Sequence, residues 1–267
     1  MNKDRILLMF KFCNLYSGSS GNCSFIETDS AKILIDCGTS SKKVQDALNS
    51  IGYTFDDIDA IIITHEHSDH IKGLGTTCKK FDIPVYANEK TYNEISKNFD
   101  IKTHKNFKNG ENFEINDLTI SPFSIPHDAA DPCGFNLYYK SKKVSIATDL
   151  GHIENSILKR LDGSDFLLLE SNYEPDILKC SKYPYMLKKR ILGPNGHLSN
   201  EDASNIICTL AKSGLNNVTL GHLSKENNFP ELAYKTTMND IISNNFNINN
   251  FKLDVANRDK PNKLFDI

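Results

Sequence analysis

The chain has 267 residues and a mass of 30.1 kDa, and 39% of its residues are hydrophobic and 24% charged. These fractions are ordinary for a globular protein and exclude a disordered, collagen-like or coiled-coil chain. The 31 Lys and Arg residues and the 34 Asp and Glu residues give a formal net charge of −3. This charge argues mildly against a protein that binds nucleic acid through an overall basic surface.

Short apolar runs alternate with helical patterns along the chain. The first run, residues 6–10, is too short to span a membrane, and no small-residue cleavage site follows it, so we expect a cytoplasmic protein without a membrane anchor. Runs rich in Ile, Val, Phe and Leu predict strands at residues 10–15, 24–27, 32–36, 60–64, 84–87, 113–115, 118–122, 135–139, 143–147, 166–170 and 217–220. Helical spacing predicts helices at residues 40–51, 70–81, 90–97, 156–161, 183–191, 201–213 and 230–243.

No linker or shift of composition divides these elements. We therefore expect one domain over residues 1–267, with two sheets and the helices outside them. The seven cysteines are odd in number, widely spaced and without a CxxC pair, which favours reduced, mostly buried thiols over a disulfide framework or a thiolate zinc site.

The densest chemical signal is the segment Thr64-His65-Glu66-His67-Ser68-Asp69-His70, which directly follows an apolar run. His65 and His67 are two residues apart, so both imidazoles can point to one side at the end of a strand. Asp69 and His70 can supply further ligands where the next helix starts. Imidazole with carboxylate suits zinc, manganese or iron. A polar loop that carries three histidines by chance is the alternative, and a chain with only 8 His in total disfavours it.

Three downstream residues are candidate partners for this cluster. His127, Asp149 and His222 each come at the end of an apolar strand pattern, where a layered α/β fold delivers polar groups to the rim of a sheet. Each could be an ordinary polar residue when taken alone. Together with the histidine segment they predict a metal site.

This order of motifs resembles the metallo-β-lactamase superfamily: Asp36 after a strand, HxHxDH at residues 65–70, then His127, Asp149 and His222. The resemblance implies an α/β fold, the four-layer αβ/βα sandwich, with two divalent metal ions (Zn or Mn, with Fe possible) at one edge. It implies that the ions are held by His65, His67 and His127 and by Asp69, His70 and His222, with Asp149 bridging them. Asp36 would orient the histidine loop.

Three further segments resemble the YycJ/WalJ family, whose members are regarded as bacterial exonucleases acting on DNA. They are SGSSGNC at 17–23, GHLSNEDA at 196–203 and GHLSKENN at 221–228. In related nucleic-acid-processing branches, a histidine upstream of the last ligand contacts the scissile phosphate and helps the leaving oxygen depart. His197 stands in that position here. The interval from Asp149 to His222 is too short to hold an inserted β-CASP domain.

The resemblance implies a two-metal-dependent phosphodiesterase, a DNA exonuclease that hydrolyses phosphodiester bonds with a metal-bound hydroxide. Asp69 would coordinate metal and orient the nucleophile, and His197 would donate a proton to the leaving oxygen. The alternative for His197 is a residue that only packs ahead of the following helix.

Candidate substrate contacts are Ser19, Ser20 and Asn22 in the glycine-rich loop, and Lys225 and Asn227 after the last ligand. A glycine-rich loop can present backbone N–H groups to an anion, although a plain hairpin turn has the same composition. Residues 179–190 form a basic stretch with interleaved tyrosines, which suits a nucleic acid strand or a solvated helix face. The function alternatives are a metallohydrolase of a small ester, thioester or lactone, and a metal-stabilised binding subunit without catalysis.

Overall fold

The computed structural model describes residues 9–267, so most of the apolar run at 6–10 lies outside the described residues. The first sheet contains β1 (Lys11–Tyr16), β2 (Cys23–Glu27), β3 (Lys32–Ile35), β4 (Ala60–Ile62), β5 (Val85–Asn88), β6 (His104–Phe107) and β14 (Phe265–Asp266). The second contains β7 (Phe113–Ile115), β8 (Leu118–Ser124), β9 (Cys133–Tyr139), β10 (Lys142–Ala147), β11 (Phe166–Glu170), β12 (Asn217–Gly221) and β13 (Lys252–Val255). Their spatial orders are β14-β1-β2-β3-β4-β5-β6 and β13-β12-β11-β10-β9-β8-β7.

Alternating side chains along the strands build the core. In β3, Ile33 and Ile35 face the second sheet while Leu34 faces the other way, toward helices. In β11, Leu168 faces the first sheet and Leu167 faces the helices of the other layer. A strand places successive side chains on opposite faces, so near-continuous apolar runs are buried on both sides.

Helices cover the outer face of each sheet. They are α1 (Ser41–Ser50), α2 (Ser68–Ile71), α3 (Leu74–Lys80), α4 (Glu89–Ile95), α5 (Asn155–Leu161), α6 (Pro175–Cys180), α7 (Tyr185–Ile191), α8 (Asn200–Ala211) and α9 (Pro230–Ser243). Apolar residues of α1, α3 and α4 pack on the first sheet, and those of α5, α8 and α9 pack on the second. The layers are therefore helix, sheet, sheet, helix, as the sequence predicted.

The predicted helix at 70–81 is wrong in its continuity. The structure has α2 and α3, separated at Lys72 and Gly73. The break coincides with a contact to the loop at 37–39: Gly73 donates its N–H to the carbonyl of Cys37 at 2.8 Å, and a Cβ on Gly73 would lie 2.1 Å from the carbonyl oxygen of Thr39. The start is also earlier than predicted, because His67 takes the extended backbone of an N-cap and Ser68 begins the helix.

Four elements escaped the sequence prediction: β6, β13, β14 and α6. The three strands lie at or next to sheet edges, and β6 and β13 carry charged or polar residues that interrupt an apolar pattern. Edge strands are short and polar in natural proteins, which removes the signal that identifies central strands.

Within residues 9–267, all cysteines are free thiols and only Cys180 is exposed. Burial raises the pKa of Cys13, Cys37 and Cys78 to about 12, so these thiols stay protonated and pack as small apolar groups. None of the helices described is long and apolar enough to cross a membrane.

Candidate metal centre

The predicted metal ligands meet at one edge of the sandwich. The segment 65–70 follows β4, Asp149 follows β10 and His222 follows β12, so the carboxyl ends of parallel strands deliver them to the same rim. Asp36, Asp149 and His222 each have a left-handed backbone, with φ of 63°, 60° and 55°. A non-glycine residue rarely adopts this conformation, and here it turns the chain sharply as it leaves each strand.

His65, His67 and His127 form the first set of donor atoms. Nε2 of His65 lies 3.1 Å from Nδ1 of His67, and Nε2 of His127 lies 3.3 Å from that same Nδ1. Donors about 2.0–2.1 Å from a tetrahedral zinc ion are roughly 3.3–3.4 Å apart, so the spacing fits one ion. Burial and the neighbouring His70 hold the pKa of His65 well below its usual range, which favours the neutral, ligating imidazole.

Asp69, His70 and His222 form the second set. Oδ2 of Asp69 lies 3.6 Å from Nε2 of His70 and 3.5 Å from Nε2 of His222. Burial alone would lower the pKa of His222, but the neighbouring carboxylates of Asp149, Asp69 and Glu170 raise it to about 10. A site that attracts a proton so strongly is also electrostatically suited to a divalent cation.

Asp149 lies between the two sets. Its Oδ1 is 3.6 Å from Nε2 of His127 and 3.5 Å from Nε2 of His222, while its Oδ2 is 3.3 Å from Nε2 of His70. Oδ2 of Asp149 and Nε2 of His222 are buried without a hydrogen-bond partner. Unpartnered buried polar atoms are costly, and a coordinated cation would satisfy both. The residues therefore fit two divalent ions that share Asp149.

Asp36 supports this centre from behind. Its Oδ1 accepts from the backbone N–H of Thr64 at 2.9 Å, and its Oδ2 accepts from the Thr64 hydroxyl at 2.9 Å. The same Oδ2 lies 2.7 Å from Nδ1 of His70. This contact directs Nε2 of His70 toward the donor cluster, so Asp36 is placed to orient the histidine segment.

Glu170 is a site residue that sequence reasoning missed. Its Oε1 lies 2.8 Å from Nδ1 of His197 and 2.7 Å from Nδ1 of His222. Its Oε2 accepts the backbone N–H groups of Leu150 and Leu198 at 2.9 and 3.0 Å. Burial would raise the pKa of Glu170, but the two histidines lower it to about 2, so the buried group is a carboxylate.

A usable signal for Glu170 was present in the sequence. It ends the apolar run of β11, between the strands that end near Asp149 and His222. The reasoning that selected those two residues as polar groups at strand ends applies to Glu170 as well. With both carboxylate oxygens already engaged, Glu170 is placed to position the two histidines.

The donor cluster opens into a cleft of about 230 Å³. The lining residues are Ser19, His67, Asp69, His127, Asp149, Asn172, Tyr183, Leu187, Arg190, Ile191, His197, His222 and Ser224. His197 stands at the rim beside the ligands, with its ring centroid 5.2 Å from that of His127 and 5.4 Å from that of His222. The cleft thus joins the predicted ligands, the predicted proton donor and one wall from the segment that contains α7.

The glycine-rich loop contributes to the centre in two ways. Ser19 lines the cleft and Ser20 is exposed beside it. Asn22 is buried and braces the loop, because its N–H donates to the carbonyl of Asp69 at 2.8 Å and its Oδ1 accepts from Gly18 at 2.9 Å. Nδ2 of Asn22 lies 3.1 Å from Nε2 of His70, so Asn22 touches the candidate ligands themselves.

The structure does not bring Lys225 and Asn227 to the cleft. Lys225 is exposed and does not line it. Asn227 is fully buried, and its Nδ2 lies 3.2 Å from the hydroxyl of Ser224. The loop after His222 turns inward at this point, so Ser224 is the residue that reaches the cleft wall instead.

The chain is similar to known proteins both in sequence and in structure. A family profile described as "Beta-lactamase superfamily domain" matches residues 31–216. The chain is 38% identical to "Exodeoxyribonuclease WalJ" of Streptococcus pneumoniae over 87% of this chain and 88% of that protein. It is 36% identical to "Exodeoxyribonuclease YycJ" of Bacillus anthracis over 83% and 85% of the two chains. The crystal structure of the metallo-β-lactamase fold protein YhfI from Bacillus subtilis superposes with a TM-score of 0.73 at 16% identity, covering 96% of this chain and 100% of that one.

Proposed function

Because the chain belongs to the β-lactamase superfamily and, within it, to the family of the WalJ and YycJ exodeoxyribonucleases, we propose that it is a metal-dependent exodeoxyribonuclease. It hydrolyses phosphodiester bonds of DNA. The observation that carries the proposal is the meeting, in one open cleft, of two donor sets joined by Asp149 with His197 at the rim. The names of the relatives support DNA over RNA as the substrate.

Zinc or manganese suits the proposed centre, since His and Asp donors accept both. When bound, two such ions would provide hydroxide near neutral pH and neutralise charge that develops on the phosphate oxygens. His65, His67 and His127 would hold one ion, and Asp69, His70 and His222 would hold the other. Asp69 is more exposed than Asp149, so it is placed both to coordinate metal and to orient the attacking water.

His197 holds the proton for the leaving oxygen. Its Nδ1 lies 2.8 Å from Oε1 of Glu170, which directs Nε2 toward the cleft. The oxygen that leaves a phosphodiester is a poor leaving group, and a donor at this position lowers the barrier to its departure. Glu170 acts as a positioning residue, because it touches His197 and His222 and not the substrate.

We also infer a reducing compartment, the cytoplasm. All cysteines of residues 9–267 are free, and disulfides are rare in cytoplasmic proteins.

The test is a digestion assay with end-labelled single- and double-stranded DNA and RNA, with and without chelator, in parallel with metal analysis of each variant. The expected result is metal-dependent loss of nucleotides from DNA ends. His67→Ala should lose both metal and activity, whereas His197→Gln should keep metal and lose activity by roughly 10²-fold or more.

The assay separates this function from a small-molecule metallohydrolase. A wild-type protein that hydrolyses a thioester or lactone while leaving every nucleic acid intact contradicts the nuclease. A His197→Gln variant with full DNA turnover would leave the nuclease standing and contradict the role of His197 as proton donor, because the Glu170–His197 pair would then serve no proton transfer.

A further inference from the structure

The feature that the ligand set does not explain is the ridge formed by residues 182–192, which includes α7. Four of its side chains, Tyr183, Leu187, Arg190 and Ile191, line the cleft. Leu187, Arg190 and Ile191 are three and four residues apart along α7 and so lie on one face of it, and Tyr183 precedes the helix. The ridge is thus one wall of the candidate active site.

The outer side of the ridge exposes large apolar groups. Tyr185 is 77% exposed and Met186 is 72% exposed, the two highest values among the large hydrophobic side chains of residues 9–267. Leu192 at the other end of the helix is 49% exposed. A run of exposed apolar side chains beside an active site marks a binding surface rather than a packing surface.

The charge of this segment is opposite to that of the chain. Residues 177–200 contain five basic residues and no acidic residue, in a protein of net charge −3. Lys182 and Lys189 are exposed and take part in no ion pair among the described residues. Arg190 makes two hydrogen bonds to Asp128, at 2.5 and 2.9 Å, which fix its guanidinium beside His127 at the cleft wall.

We propose that the ridge is the docking surface for single-stranded DNA that enters the cleft. Tyr185 stacks on a base outside the cleft, Lys182 and Lys189 contact backbone phosphates, and Arg190 contacts a phosphate near the cleaved bond. This inference rests on the proposed function and adds to it the strandedness of the bound DNA. Exposed aromatic rings interleaved with free cations are how proteins hold unpaired strands, since every base offers a face for stacking whereas a duplex hides it.

The exposed residues of the ridge can be replaced without disturbing its fold. The ridge is anchored by a small cluster in which Tyr173, Leu178 and Ile191 are buried and Tyr183 and Leu187 pack against them. Tyr185, Lys182 and Lys189 lie outside that cluster.

The test compares Tyr185→Ala and the double variant Lys182→Ala/Lys189→Ala with wild type, all loaded with metal. Matched controls are Tyr234→Ala and Lys235→Ala on α9, an exposed tyrosine and lysine that do not line the cleft. The readouts are KM and kcat on a single-stranded oligonucleotide, turnover of the small diester bis(p-nitrophenyl) phosphate, and the salt dependence of oligonucleotide binding by fluorescence anisotropy. Binding is measured in a His197→Gln background, where digestion is slow.

Tyr185→Ala should raise the KM for single-stranded DNA at least fivefold, because one base–aromatic stack contributes that much or more. Its turnover of the small diester should stay at the wild-type level. The double lysine variant should reduce the slope of log Kd against log salt by about 1.4, or about 0.7 for each phosphate contact on a single strand. Both α9 controls should behave like wild type.

The surface assignment is overturned if the ridge variants match the α9 controls in KM and salt slope while wild type digests DNA. It is also overturned if the variants weaken the binding of duplex DNA to the same degree as the binding of single-stranded DNA. If wild type binds single-stranded DNA through the ridge but digests no nucleic acid, the proposed function fails and the docking surface stands.

Discussion

Asp36 and Asp149 occupy equivalent positions in the two sheets, and this shows what single residues do at this centre. Asp36 is the first residue after β3 and Asp149 is the second residue after β10, and each has φ near 60°. Asp and Asn enter this backbone region more readily than most residues. Their side chains turn back over the strand ends, Asp149 among the ligands and Asp36 behind His70.

Replacing Asp36 by Asn should weaken metal binding while preserving the fold. Asn tolerates the left-handed backbone, but its amide would face Nδ1 of His70 where the carboxylate now lies at 2.7 Å. Loss of an orienting partner typically lowers metal affinity by about 10- to 100-fold. Chelator competition measures this affinity, with Asp46→Asn on exposed α1 as the control; equal affinities for the two variants would contradict the role of Asp36.

Oε1 of Glu170 contacts both His197, the proposed proton donor, and His222 of the second donor set. A variant of Glu170 tests whether this contact matters for turnover. Glu170→Gln can keep a hydrogen bond to the backbone of Leu150 and Leu198 but removes the charge that faces His197 and His222. We expect kcat on DNA to fall by roughly 10²-fold with KM little changed.

A double-mutant cycle with His197→Gln tests whether Glu170 acts through His197. If the two residues form one unit, the double variant is no slower than the worse single variant. Fully additive losses would mean that Glu170 contributes through His222 and the metal alone, which the metal content of Glu170→Gln checks independently.

At the residue scale, the sequence predicted the side chains whose types and spacing are chemically unusual. His65, His67 and Asp69 are dense in one segment, and His127 and His222 end apolar runs. The sequence did not predict Asn172 in the cleft, because its place depends on how distant loops pack. Lys225 and Asn227 show the converse: residues that follow a candidate ligand within a few positions can lie outside the cleft.

At the scale of elements, the loop after β3 fixes the position of the segment 65–70 that carries candidate ligands. Gly38 donates its N–H to the carbonyl of Asn22 at 2.9 Å, and a Cβ on Gly38 would lie 1.7 Å from the carbonyl oxygen of Asp69. No side chain fits at that distance. Three loops therefore meet at Gly38, and the second metal set depends on that contact.

Gly38→Ala should displace the Asp69 loop and remove the ion of the second set before the first. Elemental analysis should show metal content falling from about two ions per chain toward one. Gly110→Ala is the control, because it forces alanine into φ of 88° at a turn with open space around it. That control should cost roughly 1 kcal/mol of stability in a urea titration but leave metal content unchanged. A Gly38→Ala protein with the metal content of Gly110→Ala would show that the loop has another way to seat Asp69.

Central elements were predictable from sequence, whereas most edge strands and the helix break were not. The bounds of β11 and α9 agree with the prediction because a long apolar or periodic run defines each of them, and the short edge strand β7 was predicted as well. The break between α2 and α3 depends on the contact of Gly73 with the loop at Thr39, which local periodicity does not report. The edge strand β6 is polar because one of its faces meets solvent.

Viewed as a whole, the molecule repeats one topology. In each sheet, three antiparallel strand pairs are followed by three parallel strand pairs. This order runs from β14 to β6 in the first sheet and from β7 to β13 in the second. The sequence shows no repeat, since only the pattern of buried faces is shared. Both halves contribute donor atoms to one candidate centre.

The net charge of −3 gives a poor guide to the surface that DNA would meet. Averaging over the chain hides the segment 177–200, which holds five basic residues and borders the cleft. Two bound divalent ions would add a local charge of +4 there. A protein organised this way should hold DNA with modest, salt-sensitive affinity and depend on its metals for turnover.

Because the donors come from both sheets, metal should stabilise the whole fold and not only the site. His65, His67, Asp69 and His70 extend from the first sheet, and His127, Asp149 and His222 extend from the second. An ion that binds the folded chain alone adds about 2.7 kcal/mol of stability when free metal is about 100-fold above its Kd, or roughly 5–10 °C in Tm for a chain of this size.

Calorimetry with excess metal and with chelator measures that difference. His67→Ala should show a smaller metal-dependent shift than wild type, since it lacks the donor whose Nδ1 lies beside both His65 and His127 in the first set. His104→Ala, which removes a ring stacked on Tyr92 away from the cleft, should lose stability equally in both and keep the metal-dependent shift. If wild type melts identically with metal and with chelator, the donor sets do not clamp the two sheets through bound ions.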